Sequence, residues 1–97
     1  MSFTVTILYT GKNGNAKKFA EDMVNEGIVE KIRKQPGNER YEYYFPMDDK
    51  ESVLLIDRWT NQEALDKHHK SDMMKQIAQL REKYQLKMSV EKFTNLS

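Results

Sequence analysis

Trp59 is the only tryptophan in the 97 residues, and Asp57 stands two positions before it. In an extended segment that spacing sends both side chains to the same side, pairing a carboxylate with an aromatic wall. Two roles are open to such a pair. Asp57 and Trp59 could flank a pocket, with the carboxylate as proton acceptor, or Trp59 could plug the core while Asp57 pairs with a lysine or arginine, since a buried carboxylate needs a partner. His68 and His69 are the only histidines. Adjacent residues on a helix diverge by about 100°, so at most one faces inward, and the spacing from Ala64 and Leu65 selects His68. His68 is therefore a second candidate base, or else a half-exposed side chain near a helix end. Six methionines are a surplus for this length. Met23, Met73 and Met74 fall on inward helical positions, where a thioether packs an ordinary core or adapts to a flat apolar ligand. Tyr41, Tyr43 and Tyr44 read first as strand formers.

Composition removes most other chemistries. With no cysteine, disulfides, thiolate zinc sites, iron–sulfur clusters and cysteine nucleophiles are excluded together. Two histidines without a placed carboxylate are too few for a metal centre, so no metal is expected. Thr10-Gly11-Lys12-Asn13-Gly14-Asn15 lacks the paired Lys-Ser/Thr of a phosphate-binding loop, and no serine sits in a G-x-S-x-G context. Sixteen Lys and Arg against fifteen Asp and Glu give a formal charge of +1, which provides no field to hold nucleic acid or an anionic membrane. The N-terminal segment has no basic region followed by a continuous apolar stretch, and the sequence has no apolar run long enough to span a bilayer, so a soluble, cytoplasmic protein is expected.

The elements that must position these residues follow from periodicity. Residues 3–10 alternate, with Phe3, Val5, Ile7 and Tyr9 on one side, as a strand does. After a Gly- and Asn-rich loop, Asn15 is placed to cap a helix whose Ala16, Phe19, Ala20, Met23, Val24, Ile28 and Ile32 recur at three and four; it runs to about Lys34 and stops at Pro36-Gly37-Asn38. Residues 39–47 form an aromatic strand with Tyr41, Tyr43, Phe45 and Met47 on one face. Asp48-Asp49-Lys50-Glu51 makes the hairpin turn. Residues 52–60 are apolar at both parities, Val53 and Leu55 against Leu54 and Ile56, the pattern of a strand buried on both faces. Thr60-Asn61-Gln62-Glu63 has the form of a capping box opening a short helix through His68, Ser71 offers a second cap, and a further helix runs to about residue 84. Residues 86–93 alternate again and supply a fourth strand.

The order β-α-β-β-α-β predicts one α+β domain over residues 1–97: a ferredoxin-like sandwich in which two helices cover one face of a four-stranded antiparallel sheet. The opposite face would then be bare, although the third strand is apolar there and the first adds Leu8. A patch of that kind exceeds what monomers usually expose, and a domain this small buries little surface of its own, so a homodimer through the sheet face is expected.

Taken in order, Gln35-Pro36-Gly37, Tyr41, Leu55-Ile56-Asp57-Arg58-Trp59, Glu63-Ala64-Leu65 with His68, and Lys70-Ser71-Asp72 make the chain resemble the antibiotic biosynthesis monooxygenase domain family, small quinol- and polyketide-oxidising enzymes. The resemblance spans essentially the whole chain and implies a dimeric α+β barrel with a pocket between sheet and helices in each subunit, Trp59 and His68 standing at matching positions. The family usually has glutamate where this chain has Asp57. A haem-degrading branch of the superfamily needs an asparagine on the first strand and a histidine on the last helix; here the first strand has none and the helical position is Ala78, which disfavours haem. The implied activity is oxidation of a small hydroquinone or polycyclic phenol by O₂ with no cofactor. His68 or Asp57 would deprotonate the hydroxyl, and Trp59, Met73, Met23 and Tyr43 would hold the aromatic ring. The same scaffold could instead serve a non-catalytic small-molecule-binding or stress-response protein, or an isomerase that needs only proton transfer.

Overall fold

The computed structural model describes residues 2–95. Its order is β1 (Ser2–Thr10), α1 (Asn15–Asn25), α2 (Ile28–Arg33), β2 (Asn38–Tyr44), β3 (Ser52–Trp59), α3 (Gln62–His69), α4 (Asp72–Lys83) and β4 (Lys87–Asn95). The strands form one antiparallel sheet in the order β2-β3-β1-β4. This is the expected ferredoxin-like sandwich, with each of the two expected helices divided into two segments. Among the described residues no helix is long and apolar enough to cross a membrane.

The break in the first layer was not visible in the apolar spacing, which continues in register through Ile28 and Ile32. Gly27 decides it: at φ 76° it occupies the left-handed region, ends the run of α1 and opens α2. Ile28, Val29 and Ile32 are all buried beyond the break, so the same core face is maintained across it. Two caps also differ from expectation. Gly14, itself left-handed, precedes α1, and the Asn15 side chain donates instead to the Tyr84 carbonyl at 3.2 Å, tying α1 to the end of α4. At α3 the cap is Asn61 rather than Thr60, its Oδ1 accepting from Ala64 N at 2.9 Å. Strand β2 ends at Tyr44, just before Phe45-Pro46, so Phe45 and Met47 leave the sheet face predicted for them and are exposed.

Parity in the strands sets which side chains meet the helices. Val5 and Tyr9 of β1, Tyr41 of β2, and Val53, Leu55, Asp57 and Trp59 of β3 are buried with Phe19, Met23, Ile32 and Leu65 from the helices. The other parity is open. Leu8 pairs with Leu54 and Thr6 with Ile56 across β1 and β3, and all four are only half-buried. The expectation that β3 is buried on both faces therefore fails for the single chain, because all four helices lie on one side.

Two left-handed glycines separate conformational strain from steric closure. A Cβ on Gly37 (φ 85°) would stand 2.5 Å from Ala64 Cβ and 3.0 Å from Thr60 Cγ2, whereas one on Gly14 (φ 75°) would meet nothing within 4 Å. Gly14→Ala is expected to cost about 1 kcal/mol and Gly37→Ala about 2–4 kcal/mol in urea unfolding, since only the second adds overpacking to backbone strain. Equal losses would contradict the close approach of α3 to the Gly37 turn.

Candidate active site

Strand pairing brings the carboxylate into the interior. Asp57 lies on β3 directly across from Val5 of β1 and Tyr41 of β2, and it shares the helix-facing parity with Trp59. Trp59 Nε1 donates to Asp57 Oδ1 at 3.2 Å. Helix α3 passes over this pair with Ala64, Leu65 and His68 inward, the i, i+1, i+4 set expected of one helical face. The His68 ring stacks on Trp59 with centroids 4.6 Å apart and planes at 24°. Its Nδ1 meets Gln35 Oε1 at 2.7 Å; with that oxygen as acceptor, Nδ1 carries the proton and Nε2 keeps the lone pair. Sequence spacing thus brings together Asp57, Trp59 and His68, as expected. No lysine or arginine pairs with Asp57 among the described residues, so its partner is the neighbouring indole and not the cation that one reading supposed.

That arrangement moves the two candidate bases in opposite directions. Burial disfavours the Asp57 carboxylate and raises its pKa from 3.8 to about 7, against a smaller lowering by the Trp59 hydrogen bond. Burial likewise disfavours the His68 imidazolium and, with His69 nearby, lowers its pKa from 6.5 to about 4. Burial also holds the phenols of Tyr9, Tyr41 and Tyr43 protonated well above the ordinary tyrosine range, with the charge on Asp57 contributing in each case. Asp57 is the buried group of this cluster that changes charge near neutral pH.

An apolar pocket of about 260 Å³ opens beside the cluster, between β1 and β4 on one side and α3 and α4 on the other. Val5, Ile7, Leu65, Met74 and Ile77 line it, and His69, Arg81 and Lys92 stand on it as cations or potential cations. Tyr9 links pocket to cluster: its ring lines the wall, and its phenol feels both Asp57 and Arg81. Three larger hollows, of about 400, 390 and 400 Å³, lie by α1, α2 and β2, by the β1–α1 loop, and along β2 beside Arg33; like the smaller pocket, none of them is lined by Asp57, Trp59 or His68. What sets the smaller pocket apart is its apolar lining, which includes Val5, the cross-strand neighbour of Asp57.

None of the four expected ring contacts lines this pocket, and Trp59 is fully buried against His68. Met23 is fully buried in the core, Tyr43 lines the hollow beside α1 and α2, and Met73 packs against the core outside the pocket, where its neighbour Met74 stands instead. Sequence reasoning missed Tyr9, His69 and Arg81. Arg81 had a signal, because it follows Met74 and Ile77 at seven and four positions and so shares their helical face. Ala78, the helical position where the haem-degrading branch needs histidine, presents a methyl group to the same pocket.

Residues 2–80 match the model of the antibiotic biosynthesis monooxygenase family. The chain belongs to that family. Its fold is similar to that of SnoaB, a cofactor-independent oxygenase from Streptomyces nogalater, with a TM-score of 0.82 at 17% identity over 99% of this chain and 94% of that one. It is also similar to PA3566 from Pseudomonas aeruginosa (TM-score 0.82, 18% identity, 99% and 95% covered) and to a conserved protein from Methanosarcina mazei Go1 (TM-score 0.84, 18% identity, 99% and 94% covered). No curated protein matches the sequence. Identities this low carry the fold and leave the substrate of this family member to its own residues.

The opposed shifts make a stability test. Between pH 4 and 7 folded Asp57 holds a proton that the unfolded chain has released, so its contribution falls as pH rises. Between pH 4 and 6.5 the unfolded chain protonates His68 while the folded chain does not, so that contribution rises. The two offset one another in the native sequence. Asp57→Asn should unmask a stability that climbs from pH 4 to 6.5 and should gain about 1–3 kcal/mol at pH 8. His68→Gln should show the reverse slope. Parallel urea midpoints for all three proteins across this range would contradict the burial of both groups.

Proposed function

We propose that this family member oxidises a hydroquinone or phenol with O₂, without metal, flavin or nicotinamide, in the pocket beside Tyr9. The observation that carries the reading is a buried carboxylate, unpaired with any cation among the described residues, whose proton affinity matches neutral pH and whose cross-strand neighbour Val5 lines an apolar pocket. A base works best when its pKa lies near the working pH, so Asp57 is the better matched of the two candidates, and His68, held neutral, stacks on Trp59, the hydrogen-bond partner of Asp57. Val5, the cross-strand neighbour of Asp57, lines the pocket, and in this reading the proton leaving the substrate passes to the Asp57 carboxylate. The resulting anion gives one electron to O₂, and the semiquinone and superoxide recombine at a ring carbon. The peroxide then loses water, so hydroquinone and O₂ yield hydroxyquinone and H₂O. An apolar wall favours the first electron transfer, because the substrate anion is poorly solvated there.

The working form is a homodimer through the open sheet face. Leu8, Leu54 and Ile56 form a connected apolar strip there, and the alternative is to leave it in water. Sedimentation of the purified protein at tens of micromolar should give a dimer burying at least about 1,000 Å². Ile56→Lys on this face should shift it to monomer, and a native monomer would contradict the interface.

Oxygen uptake with a panel of hydroquinones, in the presence of chelator and against a heat-treated control, tests the activity. Asp57→Asn should lower the enzyme-dependent rate by at least about 100-fold while leaving the dimer intact. His68→Gln should lower it less. A binding protein would take up the same compounds with no enzyme-dependent oxygen consumption.

A further inference from the structure

The pocket beside Tyr9 carries cationic groups and no acidic one. Their surroundings distinguish them. Lys92 donates to Gln62 Oε1 at 2.9 Å and lies 5.0 Å over the Phe3 ring, so its charge is already engaged. Arg81 is half-buried, and its hydrogen bond is to Met88 Sδ at 3.1 Å, a weak acceptor for a guanidinium. No carboxylate pairs with Arg81 among the described residues. Arg81 and Tyr9 both line the pocket, so the guanidinium and the phenol share one largely apolar space. A guanidinium held there keeps the planar donors that recognise a carboxylate.

Size gives the second constraint. A cavity of about 150 Å³ holds one benzene ring, and this pocket measures about 260 Å³. That volume matches a single substituted ring better than three fused ones.

We propose that Arg81 makes this pocket selective for a single-ring aromatic acid, with the carboxylate of the ligand on the guanidinium and its ring between β1 and α4. The inference rests on the reading of this pocket as the substrate site and narrows the substrate class to dihydroxybenzoate-like acids.

Calorimetric titration without oxygen, using 2,5-dihydroxybenzoate, its methyl ester and the redox-inert three-ring acid 9-anthracenecarboxylate, tests it on the full chain. The acid should bind at least about tenfold tighter than the ester, as expected for a charge-assisted pair, and the three-ring acid should not bind. Arg81→Gln should remove the preference by weakening the acid alone, and Arg81→Lys should restore part of it. Equal binding of acid and ester to the native protein overturns the proposal without recourse to any variant. So does a preference that survives Arg81→Gln, tight binding of the three-ring acid, or failure of both single-ring compounds to bind. If the acid binds in this pattern yet air brings no oxygen uptake, the oxygenase reading fails and the selectivity stands. Uptake that is as fast with the ester, together with equal affinities, has the opposite meaning.

Discussion

A carboxylate held in an apolar interior with an indole for its partner is the constraint around which the rest of this structure is arranged. Taking Asp57 out of water disfavours its charged form, and a single hydrogen bond from Trp59 offsets only part of that. A lysine or arginine in the same place would have stabilised the ion and held its pKa low, leaving an inert structural pair. Without one, the carboxylate retains a proton up to neutral pH. The cost in stability and the chemical usefulness have the same origin. The elements around it serve to maintain that state. Strands β1 and β2 flank Asp57 on both sides through Val5 and Tyr41, and α3 lays His68 flat on Trp59 so that the indole stays where it can donate.

The pocket has a different cause. The sheet is four strands wide, and the helical layer stops short of its β4 edge. Met88 and Val90 pair with Tyr9 and Ile7 on the helix-facing side yet remain exposed. The space between that uncovered strip and α4 is the pocket. Two of the elements that border it supply its permanent charges, Arg81 from α4 and Lys92 from β4.

Much of this was legible in residue order because strand parity and helical period are short-range rules. The separation of Asp57 and Trp59 by two positions fixed their common face, and the step from Ala64 and Leu65 to His68 fixed which imidazole turns inward. Features that depend on a single backbone torsion or on distant packing were hidden. Gly27 interrupts an apolar stripe that continues on either side of it, and nothing in the stripe reveals the break. Asp57 could pair with a cation or stand without one, and only the packing of remote elements decides between these. The pocket escaped notice because its walls come from segments far apart in sequence, and inward residues such as Met23 looked like ring contacts when they are core. Val5 read as one member of an apolar row, and its position beside Asp57 emerges only once β1 and β3 are paired.

The most direct test is the titration of Asp57 itself. With aspartate labelled at the side-chain carboxyl carbon with ¹³C, and the resonance assigned by its loss in Asp57→Asn, the chemical shift can be followed from pH 3 to 9. A midpoint near 7 is predicted. A midpoint near 4, the ordinary range for aspartate, would mean that the carboxylate is solvated or paired, and it would remove the base on which the proposed chemistry depends.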